Sequence, residues 1–234
     1  MRAERLKELL AERIVILDGA MGTMIQGRNL TEDDFGGEQY EGCNEYLSIT
    51  RPDVIQSIHE EYLEAGADII ETNTFGATPL VLDEYNLGDL AYQLNKESAQ
   101  LARKAVEQYD HPDYPRFVAG SMGPTTKTLS VTGGATFDQL ADSYEEQTKG
   151  LLDGGVDVLL LETSQDLLNV KAAYLGMQRA FESTGKEVPL IISGTIEPMG
   201  TTLAGQTIEA FYISVTHMKP LAICLLYTSP SPRD

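Results

Sequence analysis

Three observations predict an α/β fold of parallel strands wound with helices. Short apolar runs recur along the chain, and nearly every one ends in acid, amide or hydroxyl. Each is followed by a stretch with helical spacing, at roughly 35 to 50 residues per unit. The second and fourth runs also echo each other, Gly66-Ala67-Asp68-Ile69-Ile70-Glu71-Thr72 against Gly155-Val156-Asp157-Val158-Leu159-Leu160-Leu161-Glu162-Thr163, as if one βα unit were used again. Five units and the start of a sixth suit either a (β/α)8 TIM barrel or an open doubly wound sheet. The polar strand exits favour the barrel, whose sites are built at the C-terminal ends of several strands. A barrel typically needs about 250 residues, so the prediction is a barrel cut off after about the start of strand 6.

The elements follow in order. Residues 3 to 12 are strong helix formers with leucines at 6, 9 and 10, giving a short amphipathic helix able to plug the base of a barrel. Ile14-Val15-Ile16-Leu17 reads as a strand buried on both faces that delivers Asp18 to a surface, with Gly19 and Gly22 allowing close approach of the backbone. Thr23 to Ile49 has glycines at 27, 36, 37 and 42 and no sustained period, and so reads as a long loop serving a site. Thr50-Arg51-Pro52-Asp53 opens a helix, with Thr50 as cap and Pro52 in the first turn.

The second strand spans 67–74 with a polar exit, Glu71-Thr72-Asn73-Thr74. Leu90, Leu94, Leu101, Ala105 and Val106 mark the next helix, in which Ser98 weakens the apolar stripe. The third strand and its exit occupy 117–124, and Thr136 with Gln139 forms a capping-box pattern before a helix ended by Gly154-Gly155. The fourth strand covers 156–163. A helix through Leu167, Leu168, Val170, Tyr174 and Leu175 leads to the fifth strand at 190–195. Ile208 to Met218 is helical in spacing, and Leu221-Ala222-Ile223 begins a sixth strand.

The totals bound the function. The chain has 234 residues, 42% hydrophobic and 23% charged, enough for one sizeable core. A formal net charge of −19 argues against nucleic acid or an anionic membrane as partner. There is no apolar run of transmembrane length and no signal-peptide pattern, so a cytoplasmic protein is expected. Cys43 and Cys224 are the sole cysteines, too few for a disulfide scaffold or a complete cysteine zinc site. His59, His111 and His217 fall on helices or a connector and are expected at the surface.

The end of the chain is of a different character. Cys224 to Asp234, Cys-Leu-Leu-Tyr-Thr-Ser-Pro-Ser-Pro-Arg-Asp, abandons a strand just begun and is similar to a translated sequencing-library adapter. The expected division is a partial barrel domain at 1–223 and a non-native tail at 224–234.

Asp18-Gly19-Ala20-Met21-Gly22-Thr23-Met24-Ile25-Gln26 stands in one register with Glu71-Thr72-Asn73-Thr74-Phe75, Gly123-Pro124-Thr125, Glu162-Thr163 and Ile192-Ser193-Gly194-Thr195-Ile196. Together these motifs resemble the homocysteine-binding module of the cobalamin-dependent methionine synthase family. Betaine- and S-methylmethionine-dependent homocysteine methyltransferases share its barrel. Gly42-Cys43-Asn44-Glu45-Tyr46-Leu47, Thr50-Arg51-Pro52 and the stretch Gly200 to Thr207 resemble the cobalamin-dependent branch more closely.

The resemblance implies methyl transfer from methylcobalamin, carried on a separate domain, to homocysteine. It also implies a methyltetrahydrofolate module that remethylates the cobalt. In such proteins zinc held by three cysteine thiolates keeps the homocysteine sulfur ionised. The first ligand follows the sixth strand in a Gly-Leu-Asn-Cys motif and the others follow the eighth. Here Ile223 is followed by Cys-Leu-Leu, and Cys43 matches none of them, so no metal ligand and no catalytic residue is assigned. What the resemblance assigns is the amino-acid half of the site. Asp18 and Glu162 would take the ammonium, and backbone N–H groups near Ala20 and Met21 the carboxylate, with Thr72, Asn73 and Ser121 as lining. A fragment that orients substrate without a thiolate activator is expected to be inactive. The remaining readings are a betaine- or S-methylmethionine-dependent enzyme and a non-catalytic or unfolded remnant.

Overall fold

The structure, a computed structural model, describes residues 2–227. Five parallel strands form one sheet in chain order: β1 (Ile69–Glu71), β2 (Phe117–Met122), β3 (Val158–Ser164), β4 (Leu190–Ile196) and β5 (Ala222–Tyr227). Order without reversal is that of barrel staves; a doubly wound sheet would switch direction at a crevice. The helices are α1 (Arg2–Glu12), α2 (Met21–Gln26), α3 (Leu47–Thr50), α4 (Pro52–Glu64), α5 (Pro79–Leu82), α6 (Ala91–Tyr109), α7 (Phe137–Gly154), α8 (Leu167–Thr184) and α9 (Ile208–Val215). The arc they line is an unclosed barrel.

Strand alternation divides the apolar residues between two faces. Ile69, Phe117, Ala119, Val158 and Leu160 point inward and pack on Leu6 and Leu9, so α1 does plug the base. Ile70, Val118, Met122, Leu159, Leu161 and Ile192 point outward into the larger core beneath α6, α7, α8 and α9. Close helix contact needs small residues there: a Cβ on Gly150 of α7 would lie 2.5 Å from the Tyr92 carbonyl oxygen and 2.8 Å from Asn95 Cβ of α6. The Thr136–Gln139 capping box forms, and Gly155, at φ 91°, ends α7.

The echoed motif has a physical meaning. Asp68 accepts from the Ile16 N–H at 2.9 Å and is clasped by Arg13 and Arg116 at 2.7 and 2.8 Å. Asp157 accepts from the Val118 N–H at 2.9 Å and pairs with Arg103 at 2.6 Å. Each aspartate, placed just before its strand, fastens the neighbouring upstream segment from below.

The structure departs from the sequence expectations in several places. Ile14 to Leu17 is not a buried strand. It makes a single bridge, Leu17 to Ile69, and Ile14 is 81% exposed. An apolar run is buried on both faces only when neighbours lie on both sides, and among the described residues only β1 pairs with it. The 23–49 loop contains α2, α3 and two 3-10 turns, too short to show a period. Arg51, not Thr50, precedes α4; the Thr50 hydroxyl bonds back to the Tyr46 carbonyl. Strand β5 does not stop at Ile223 but pairs with β4 through Tyr227, because Cys-Leu-Leu-Tyr is compatible with a strand. Residues 228–234 of the expected tail lie outside the described residues. His59 is fully buried in α4, against expectation, since it lies four residues from both Ile55 and Leu63 on the apolar stripe. His111 and His217 are exposed, as expected.

Candidate functional site

The inward-facing residues at the strand ends change from apolar to polar in one step: Ile69 to Glu71, Ala119 to Ser121, Leu160 to Glu162, Ile191 to Ser193. With the turn after Asp18 they surround a cavity of about 190 Å³ lined by Ala20, Met21, Glu71, Thr72, Asn73, Phe75, Ser121 and Glu162. Gly123 makes room for its aromatic wall, since a Cβ there would lie 2.7 Å from the Phe75 ring.

Two carboxyl groups, Glu71 and Glu162, line this cavity, and that of Asp18 lies buried beside them. Asp18 Oδ2 accepts from the Glu71 N–H at 3.0 Å, while Oδ1 is buried with no hydrogen-bond partner among the described residues. Glu162 Oε1 accepts from the Ser121 hydroxyl at 2.5 Å. Burial, followed by the charge of Glu162, pushes Asp18 up to about 7 despite the Glu71 N–H. Burial, then Glu162 and Asp18, pushes Glu71 up to about 9. Burial likewise raises Glu162 against the hydrogen bond from Ser121. No Lys or Arg forms an ion pair with any of them among the described residues. Such a site, rich in negative charge and without its own cation, is complementary to a cation supplied from outside.

The residue after Glu162 carries backbone strain. The β3–β4 ladder shifts between Leu161 and Ser164, and Thr163, a β-branched residue, sits at φ 54°. Alternation from Leu160 already aims Glu162 inward; the irregularity after it re-aims the chain beyond, at about 1–2 kcal/mol for the left-handed residue.

The other sequence candidates take distinct places. Ala20 precedes α2 and has no side chain to cap it, which leaves the first N–H groups beside Met21 without a side-chain cap. Gly19 accommodates Tyr62, whose hydroxyl would lie 3.1 Å from a Cβ at that position. Thr72 is buried, its hydroxyl 2.5 Å from that of Thr74 and accepting from the Ser121 N–H at 3.0 Å, so it staples two strand exits together. The Asn73 amide donates away from the cavity, to the Asn44 carbonyl at 2.8 Å and the Ser48 hydroxyl at 3.2 Å. Ser121 faces the cavity through its bond to Glu162. Glu71 is the residue that the sequence reading left out of the site. Its signal was present: position 71 shares the inward face with Ile69 two residues earlier.

A thiolate zinc centre does not fit the residues present. Among the described residues no group of three His, Cys, Asp or Glu side chains is arranged to hold a metal ion. Cys43 is buried in a separate apolar cluster, its thiol pushed up to about 12 by burial and then Glu45. Cys224 is exposed on β5, with Ser193 as its register partner. No helix among the described residues is long and apolar enough to cross a membrane.

The fold is similar to that of MmuM, a homocysteine methyltransferase from Escherichia coli. Its metallated form matches with a TM-score of 0.76 at 23% identity over 95% of this chain and 77% of that one. The oxidised form matches with a TM-score of 0.77 at 22% identity over 94% and 76%. The homocysteine S-methyltransferase profile matches residues 15–230, from the segment carrying Asp18 to beyond β5. On that match, together with a barrel arc whose strand ends build the cavity, the chain belongs to the homocysteine S-methyltransferase family.

Proposed function

We propose that this chain is the homocysteine-binding segment of a cobalamin-dependent methionine synthase, with native sequence through Ile223 and a non-native tail from Cys224. The observation that carries the reading is the acid pair of Glu162, which lines the cavity, and Asp18, buried beside it within its field, unpaired with any basic side chain among the described residues and with Asp18 Oδ1 lacking a donor. An amino acid entering with its ammonium toward these two acids supplies that donor. Its carboxylate then lies toward the N–H groups near Ala20 and Met21, and its side chain points up toward Phe75. Thr72 and Asn73 hold the cavity wall in place, and Ser121 orients Glu162. Partner modules carrying methylcobalamin and methyltetrahydrofolate would supply the methyl group. Zinc would activate the thiol in a complete domain, but the residues present do not form its site. The segment itself therefore orients homocysteine without transferring a methyl group.

A free-standing methyltransferase using betaine or S-methylmethionine is the second reading, favoured by the likeness to a homocysteine methyltransferase structure. The two are separated by supplying each donor to the complete gene product. For the segment, calorimetric titration with L-homocysteine is the direct test. Asp18→Asn and Glu162→Gln are each expected to weaken binding by about tenfold or more. Unchanged affinity in both variants would remove the ammonium site, and methyl transfer by the isolated chain would refute its inactivity.

A further inference from the structure

Glu71 is the third carboxyl group of the cluster at the cavity, with Glu162 in its lining and Asp18 buried beside it, and ammonium binding by the other two leaves its role open. Three carboxylates beside one ammonium would leave two uncompensated charges in a largely desolvated space. Acids crowded in this way keep a proton on one member. The surroundings show which one. Asp18 has the Glu71 N–H on Oδ2, and Glu162 has the Ser121 hydroxyl on Oε1. Among the described residues no N–H or O–H donates to the Glu71 carboxyl, although it is shielded and flanked by both other acids. The remaining titratable group nearby is Tyr62 of α4, whose phenol is raised by burial, then Asp18 and Glu71, and so stays neutral. Nothing on the neighbouring elements supplies Glu71 with a compensating charge.

Resting on the reading of this cavity as an amino-acid site, we infer that Glu71 sets its charge. Glu71 keeps its proton and donates a hydrogen bond within the site. Asp18 and Glu162 then act as the pair that takes the ammonium. The proton that this pair holds in the empty site passes to solvent as the ammonium enters, so binding releases acid. The upward displacement of Asp18 to about 7 is consistent with a part-protonated pair at neutral pH.

The test is calorimetric titration of the full 234-residue chain with L-homocysteine under reductant at pH 7. Repeating it in two buffers of different ionisation heat yields affinity and proton count together. The wild type is expected to release about half a proton to one proton per ligand. Glu71→Gln, neutral and still a donor, is expected to hold affinity within about threefold and to leave the proton count unchanged, whereas Glu71→Ala weakens binding by about fivefold or more. Binding with no proton release in the wild type overturns the inference without recourse to any variant. Loss of about thirtyfold or more in Glu71→Gln would make Glu71 an ionised ammonium partner and overturn it too. Equal affinity in the Ala and Gln variants would remove the donor role. In each of these cases the homocysteine reading survives; failure of the wild type to bind at all would end both.

Discussion

Replacing His59 by leucine should make the protein more resistant to unfolding, and increasingly so as the solution is acidified. The ring is fully buried in α4, neither nitrogen has a hydrogen-bond partner among the described residues, and burial alone lowers its pKa from 6.5 to about 4. In the unfolded chain it titrates near 6.5. Between those values the unfolded state binds the extra proton, so folding stability falls as pH drops from about 6.5 toward 4 and is fully present above. A gap of about 2.5 units at 1.36 kcal/mol each amounts to ~3 kcal/mol. At pH 7.5 the leucine variant also removes two unpaired polar atoms, a gain of about 1–2 kcal/mol. Urea unfolding of both proteins, followed by circular dichroism at pH 7.5, 6.0 and 5.0, measures the difference directly. Asp18, Glu71 and Glu162 shift stability in the opposite sense, but they are common to both proteins and cancel. A constant difference across the three pH values would refute the argument, as would a leucine variant less stable than wild type at pH 7.5.

Other perturbations give equally definite expectations. Asp68→Ala strands Arg13 and Arg116 and frees the Ile16 N–H, and should cost about 3 kcal/mol in urea unfolding. Gly150→Ala forces α7 away from α6 and should cost about 1–3 kcal/mol, visible as a lowered Tm. Because Asp18 must be ionised to take an ammonium and titrates near 7, homocysteine affinity measured by calorimetry should fall as pH drops below 7, by up to about tenfold per unit. An affinity flat from pH 7.5 to 5.5 would contradict the assignment of Asp18.

How far the fold could be read from the sequence depended on how much each element relies on neighbours distant in the chain. α7 was legible to its ends because Thr136, Gln139 and Gly155 act within a turn or two of themselves. The Ile14–Leu17 segment was over-read because the same apolar run is a buried stave or an exposed edge according to what lies beside it. Ser98 broke the stripe of α6 for a reason outside α6: its hydroxyl is 2.6 Å from that of Ser48 and 3.3 Å from the Asn73 carbonyl, bracing the exit of β1. At the candidate site, the family motifs singled out Asp18 and Glu162. Their charge coupling to Glu71 emerged only when the strand ends brought Glu71 and Glu162 to one cavity with Asp18 buried beside them. The bulge at Thr163 left no sequence signal of its own, since threonine has no special tolerance for φ 54°.

The two aspartates that fasten the base of the sheet take their backbone N–H bonds from upstream, Asp68 from Ile16 and Asp157 from Val118, and Asp68 also reaches forward to Arg116. Each backbone latch therefore closes on a segment that has already left the ribosome when the aspartate emerges, and the Arg116 clasp on Asp68 is added as β2 follows. Such a protein can assemble in the order it is synthesised, each new stave finding its backbone anchorage already in place.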